Sequence, residues 1–245
     1  MSARVTLATA LRVLQQLRRD PRTVALLLVV PVALVVLLRY VFDDEPQVFQ
    51  HVGGPLVGIF PFITMFIVTS VTVLRERTTG TLERLMTMPL AKLDLLVGYA
   101  LAFGVVALVQ STLVSVVALG PLDLHVAGPA WAVVALAVLN ALLGMALGIF
   151  VSAFATTEFQ AVQFMPAIVF PQLLLCGLFV DRADMARVLE IVSWALPLTY
   201  AYDALYRVTT LGTGGARLAL DVFVVAGSTV LALVLGALTL RRRTP

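Results

Sequence analysis

The stretch Arg75 to Leu90 sets Arg75, Glu76, Arg77, Glu83 and Arg84 around Leu82, Leu85 and Met86, which recur at i, i+3 and i+4. Thr81 is placed to cap a short helix and Pro89 to stop it, with Gly80 just before the cap. An apolar helical face inside a charged rim suits docking into a groove of a partner. A second stretch, Asp181 to Ala219, carries Glu190, Trp194, Pro197, Tyr200 and Asp203 within a run otherwise apolar enough to enter a bilayer. Catalytic arrangements are missing. The only lysine, Lys92, is followed by Leu93, so no G-x-x-x-x-G-K-[ST] phosphate loop is present. His51 and His125 are isolated, and neither an H-E-x-x-H zinc motif nor a Ser/His/Asp grouping within an apolar block is found. No catalytic, cofactor-binding or metal-ligating residue is therefore assigned to this chain.

The elements that must position these stretches follow from composition. Of 245 residues, 60% are hydrophobic and 13% charged, against about 45–50% and about 25% in soluble domains. The apolar residues fall in blocks of roughly 20, long enough to cross about 30 Å of hydrocarbon as helix. Six spans are expected, at about 23–42, 55–74, 95–119, 130–155, 161–180 and 220–240, all in a single transmembrane domain over 1–245. The net charge of +3 is scattered between these blocks, which excludes a nucleic-acid face. Placing the N-terminus inside puts twelve Arg and Lys in inner segments and leaves Arg39, Arg182, Arg187, Arg207 and Arg217 outside. That asymmetry predicts a multi-pass protein with both termini cytoplasmic.

The fold class predicted is thus all-α and membrane-embedded, with two additions. Residues 1–22 carry Leu7, Leu11, Leu14 and Leu17 at helical spacing among arginines, which predicts an amphipathic helix along the inner membrane surface. Residues 181–219, broken by Glu190, Pro197 and Asp203, predict a re-entrant pair of short helices between spans five and six, with Trp194 and Tyr200 at headgroup level. Gly144, Gly148 and Ser152 form a small-residue ridge suited to close helix contact. No span carries a midplane charge, which disfavours an ion-coupled or passive transporter. A lipid-modifying membrane enzyme is disfavoured by the lack of a convergent polar cluster.

Glu76-Arg-Thr-Thr-Gly-Thr-Leu-Glu-Arg-Leu85, followed by Pro89, resembles the E-R-E-x-G-T-L-E-x-L loop of the ATP-binding-cassette type-2 permease family. Thr78 replaces the second acid and Met88 a threonine. Cys176-Gly-Leu-Phe179 with Pro197-Leu-Thr-Tyr-Ala-Tyr-Asp-Ala-Leu205 resembles a second family motif, G-L-F-x-P followed by P-L-T-Y-x-x-D-A-L-R, with Asp181 in place of the proline and Tyr206 of the arginine. The resemblance implies a permease of the cell membrane that hydrolyses nothing itself, paired with a second permease copy as a homodimer. It implies two copies of a separate ATP-binding subunit that holds ATP and Mg, with residues 75–90 as the coupling helix. The implied cargo is apolar or amphipathic: a drug or antibiotic, a lipid or a lipid-linked glycan. The second and fifth spans would line its path, and the Met and aromatic side chains there single out Met65, Phe66, Thr69, Phe164 and Ile168 as facing a cavity between two subunits.

Overall fold

The computed structural model describes residues 3–79, 92–212 and 214–239, and these residues form helices and turns without a strand. The helices are α1 (Ala3–Arg18), α2 (Pro21–Val41), α3 (Pro46–Thr78), α4 (Lys92–Leu119), α5 (Ala130–Ser152), α6 (Glu158–Leu175), α7 (Arg187–Ser193), α8 (Pro197–Tyr206) and α9 (Ala216–Thr239). A 3-10 turn over Arg182–Asp184 precedes α7, and a π turn over Arg207–Leu211 follows α8.

Local chemistry sets the boundaries. Asp20 separates α1 from α2: its carboxylate accepts from the Thr23 backbone N–H at 3.2 Å and Pro21 opens the first turn. Thr157 caps α6 in the same way, accepting from Gln160 N–H at 3.2 Å. Pro197 opens α8, and the Gln172 side chain of α6 accepts from the Leu198 N–H at 3.4 Å, tying the two helices together.

Among the described residues, five helical segments are long and apolar enough to cross a membrane: Pro21–Val41, Pro46–Thr78, Asp94–Leu119, Ala130–Ser152 and Ala216–Thr239. The span expected at 161–180 falls on the 18-residue helix α6, which ends at Leu175. Gly177 adopts φ 106°, a left-handed conformation that an α-helix cannot contain. Helix α3, at 33 residues, is roughly 50 Å long at 1.5 Å per residue and exceeds the hydrocarbon thickness. Pro55 and Pro61 are accommodated within it.

Among the described residues, helices α3 and α5 make the most extensive contact. Around them, α4, α6, α8 and α9 pack on one or both, α2 lies against α3 and α4, and α1 lies against α4. The outer surfaces of α2, α4 and α9 expose large apolar side chains such as Leu37, Val116 and Phe223.

Candidate functional site

The last turn of α3 joins four elements. Three consecutive residues there point in three directions, because successive side chains on a helix are rotated by about 100°. Arg75 donates from Nε and Nη2 to the two carboxylate oxygens of Glu158, at 2.9 and 3.1 Å, and so reaches the start of α6. Glu76 accepts from Arg12 of α1 at 3.3 and 3.0 Å, and the same guanidinium donates to the Tyr99 hydroxyl of α4 at 3.0 Å. Arg77 donates to the Ser152 carbonyl at the end of α5. The surface pair Arg75–Glu158 is half-exposed on both sides, whereas the Glu76 side chain is only 2% exposed.

The sequence reading placed Arg75, Glu76 and Arg77 in the coupling loop, but they form the end of α3, whose last turn is held by partners from three other elements. Glu76, expected on a charged rim, is buried against Arg12. The other expected docking residues, Gly80, Thr81, Leu82, Glu83, Arg84, Leu85 and Pro89, lie outside the described residues.

Met65, Phe66 and Thr69 are fully buried within this chain. They turn toward α5 because α5 offers glycines: a Cβ on Gly144 would stand 2.1 Å from the Phe62 carbonyl oxygen, and one on Gly148 would stand 2.2 Å from Thr69 Oγ1. Thr69 donates to the Met65 carbonyl at 2.7 Å and to the Met145 carbonyl of α5 at 3.2 Å. Phe164 and Ile168 on α6 are half-buried against the α3 side of the core, while Phe159 and Phe170 are exposed.

Polar side chains inside the bundle went unnoticed in the sequence. Gln110 of α4 donates to the Thr64 hydroxyl of α3, and Ser111 donates to the Ala137 carbonyl of α5 at 3.2 Å. Asn140 of α5 is buried beside Gly58, where a Cβ would stand 2.7 Å from Asn140 Nδ2. Hydrogen bonds of this kind hold membrane helices in register. A lone Gln or Asn in an apolar block was the available signal.

At the opposite end, the segment between α6 and α9 contains two short helices, α7 and α8, joined by a tight turn. Tyr200 donates to the Trp194 carbonyl at 2.8 Å and Thr199 to the Ser193 carbonyl at 2.7 Å, which folds α8 back on α7. Asp203, buried on α8, accepts from Arg182 at 2.7 Å. Arg182 and Arg217 lie over the Trp194 ring at 4.5 and 5.2 Å from its centroid. Glu190 pairs with Arg187 at 2.7 Å. Pro197 is half-buried at the head of α8. Asp221, near the start of α9, is fully buried between Arg207 and Arg217 at 3.4 and 3.5 Å. A cavity of about 460 Å³ opens here, lined by Trp194, Tyr202, Asp203, Tyr206 and Arg207 among others. Among the described residues, no three His, Cys, Asp or Glu side chains come together as a metal site.

Comparison with known proteins gives these positions a context. A family model described as ABC-2 type transporter matches residues 4–209. Over 148 residues the chain is 28% identical to a protein of Escherichia coli K12 named probable multidrug ABC transporter permease YbhR, covering 60% of this chain and 40% of that protein. Over 159 residues it is 26% identical to ABC transporter G family member 20 of Dictyostelium discoideum, covering 65% of this chain and 22% of that protein. The similarity thus spans less than half the length of either relative.

Proposed function

Because the chain belongs to the ABC-2 type transporter family, we propose that it is the permease subunit of an ATP-binding-cassette exporter, driven by ATP hydrolysed in a separate subunit. The observation that carries this reading is the cluster at the end of α3. Arg75, Glu76 and Arg77 tie α6, α1 and α5 to the turn of helix that leads directly into residues 80–91. A force delivered to that segment by a nucleotide-dependent partner would reach four elements through one short stretch of backbone. The working assembly is two permease copies with two ATP-binding subunits, in the cell membrane, with both termini cytoplasmic. In this arrangement α6 and the residues after it form the fifth of six spans, and α7 with α8 forms the re-entrant segment on the outer side. An apolar or amphipathic cargo is supported by the multidrug description of the Escherichia coli relative. Phe164 and Ile168 remain the path residues proposed here, as Met65, Phe66 and Thr69 are buried.

The test is co-expression with the cognate ATPase. Leu82→Asp and Glu83→Arg should each abolish co-purification of the ATPase and export, with the amount of inserted permease unchanged. Normal recovery of the complex together with normal export in both variants would refute the coupling assignment.

A further inference from the structure

At the elbow where α1 gives way to α2, an apolar groove of about 260 Å³ is lined by Leu14, Leu17, Leu28, Val105 and Val109, with Arg18 the one charged residue on its wall. Val105 and Val109 belong to the exposed apolar face of α4, so the groove opens on an exposed apolar side of the bundle. Arg18, Arg19 and Arg22 crowd this elbow, all exposed, and their guanidinium groups have no partner among the described residues. Arg12, Arg39, Arg75, Arg182, Arg187 and Arg217, by contrast, each face a carboxylate. The one acid at the elbow, Asp20, is turned to Thr23, whose hydroxyl donates to it at 2.7 Å.

We propose that this groove holds one acyl chain of an anionic phospholipid from the inner leaflet, with its phosphate on Arg18 and between Arg19 and Arg22. The proposal rests on the reading that α1 lies along the inner membrane surface. Guanidinium groups match phosphate oxygens in a planar, two-pronged geometry. Basic clusters just inside a span attract anionic lipid. The groove is smaller than the roughly 300–1,000 Å³ typical of drug-sized ligands but is continuous with an apolar surface, which suits a chain segment. A second copy of this chain is a poorer occupant, because Glu76 and Glu158 at this end are already paired with Arg12 and Arg75.

The full-length protein in neutral detergent would be titrated with phosphatidylglycerol and with phosphatidylcholine of the same acyl chains, and bound lipid counted by native mass spectrometry. Phosphatidylglycerol should be retained about tenfold better or more, since each surface arginine near anionic lipid contributes on the order of 1 kcal/mol, about fivefold. The triple variant Arg18→Gln, Arg19→Gln, Arg22→Gln should lose that preference while keeping its phosphatidylcholine binding. Val109→Trp, which fills an exposed wall of the groove, should weaken both lipids. Equal retention of the two lipids by the unmodified protein, or an undiminished preference in the triple variant, would overturn the proposal. Displacement by glycerol phosphate would mean a free-anion site, and a dimer cross-linked through Val105→Cys in both lipids would mean that a second copy fills the groove; either overturns it. No ATPase or transport enters the measurement, so its failure is separate from failure of the exporter reading. Depth-dependent quenching of a probe on Leu11→Cys in vesicles reports independently whether α1 lies on the bilayer.

Discussion

Glu76 and Arg12 lie 64 residues apart and meet at 3.0 Å, with the carboxylate buried and the guanidinium about one third exposed. Removing one member of a buried pair strands the other, a loss of about 3–5 kcal/mol when both are fully enclosed. Solvent reaching Arg12 reduces this, so Glu76→Gln should lower stability by about 2–3 kcal/mol. The exchange Arg12→Glu with Glu76→Arg should recover at least half of the loss, read as thermal unfolding in detergent; no recovery would mean that the pair does not hold α1. Asp20 offers a pH-dependent counterpart. Hydrogen bonds from the Thr23 side chain, then from its backbone, hold the Asp20 carboxyl below its ordinary value of 3.8. A depressed carboxyl contributes stability above its usual range and loses it as pH falls through the lowered value. Asp20→Ala should therefore cost about 1 kcal/mol at neutral pH, with the gap to the unmodified protein closing below about pH 4. A gap that persists into acid would show that capping is not its cause.

Among the helices, the α3–α5 contact is the least tolerant of added volume. A methyl group on Gly144 or Gly148 would collide with backbone carbonyls of Phe62 or Phe66, at 2.1 and 2.5 Å, and carbonyls cannot move without the helix. Each Gly→Ala change there should cost about 2–3 kcal/mol through overpacking. Gly227→Ala on α9, where a Cβ meets nothing within 4 Å, should be neutral or slightly stabilising. Equal effects at all three sites would show that close approach is not what these glycines provide. The small-residue ridge was readable because spacing alone reveals it. The facing of Met65, Phe66 and Thr69 was not, since an apolar side chain in a span reads the same whether it meets lipid, a cavity or another helix. The extension of α3 to Thr78 was hidden for a related reason: hydropathy ends at Leu74, while the partners that stabilise the last turn come from α1, α5 and α6, remote in sequence.

At the scale of the whole molecule, the blocks of apolar residues were legible because hydrocarbon thickness sets their length. The lattice at the other end, where Arg182, Arg207 and Arg217 meet Asp203 and Asp221, was not, since pairing among five separated charges depends on how α8 and α9 pack. The proposed topology puts both flanks of the α7–α8 segment outside. Arg187→Cys and Ala216→Cys, in a Cys176→Ala background, should both react with an impermeant thiol reagent added to that side. Labelling of only one would require an additional crossing. The grip on the end of α3 bears on how such a molecule can move. Held from three directions by α1, α5 and α6, this helix cannot turn about its own axis without surrendering at least one of its ion pairs or its hold on Ser152. The degree of freedom left is a tilt, in which the four elements swing as one lever and a small displacement at the foot of α3 becomes a larger one some 50 Å away, at its head.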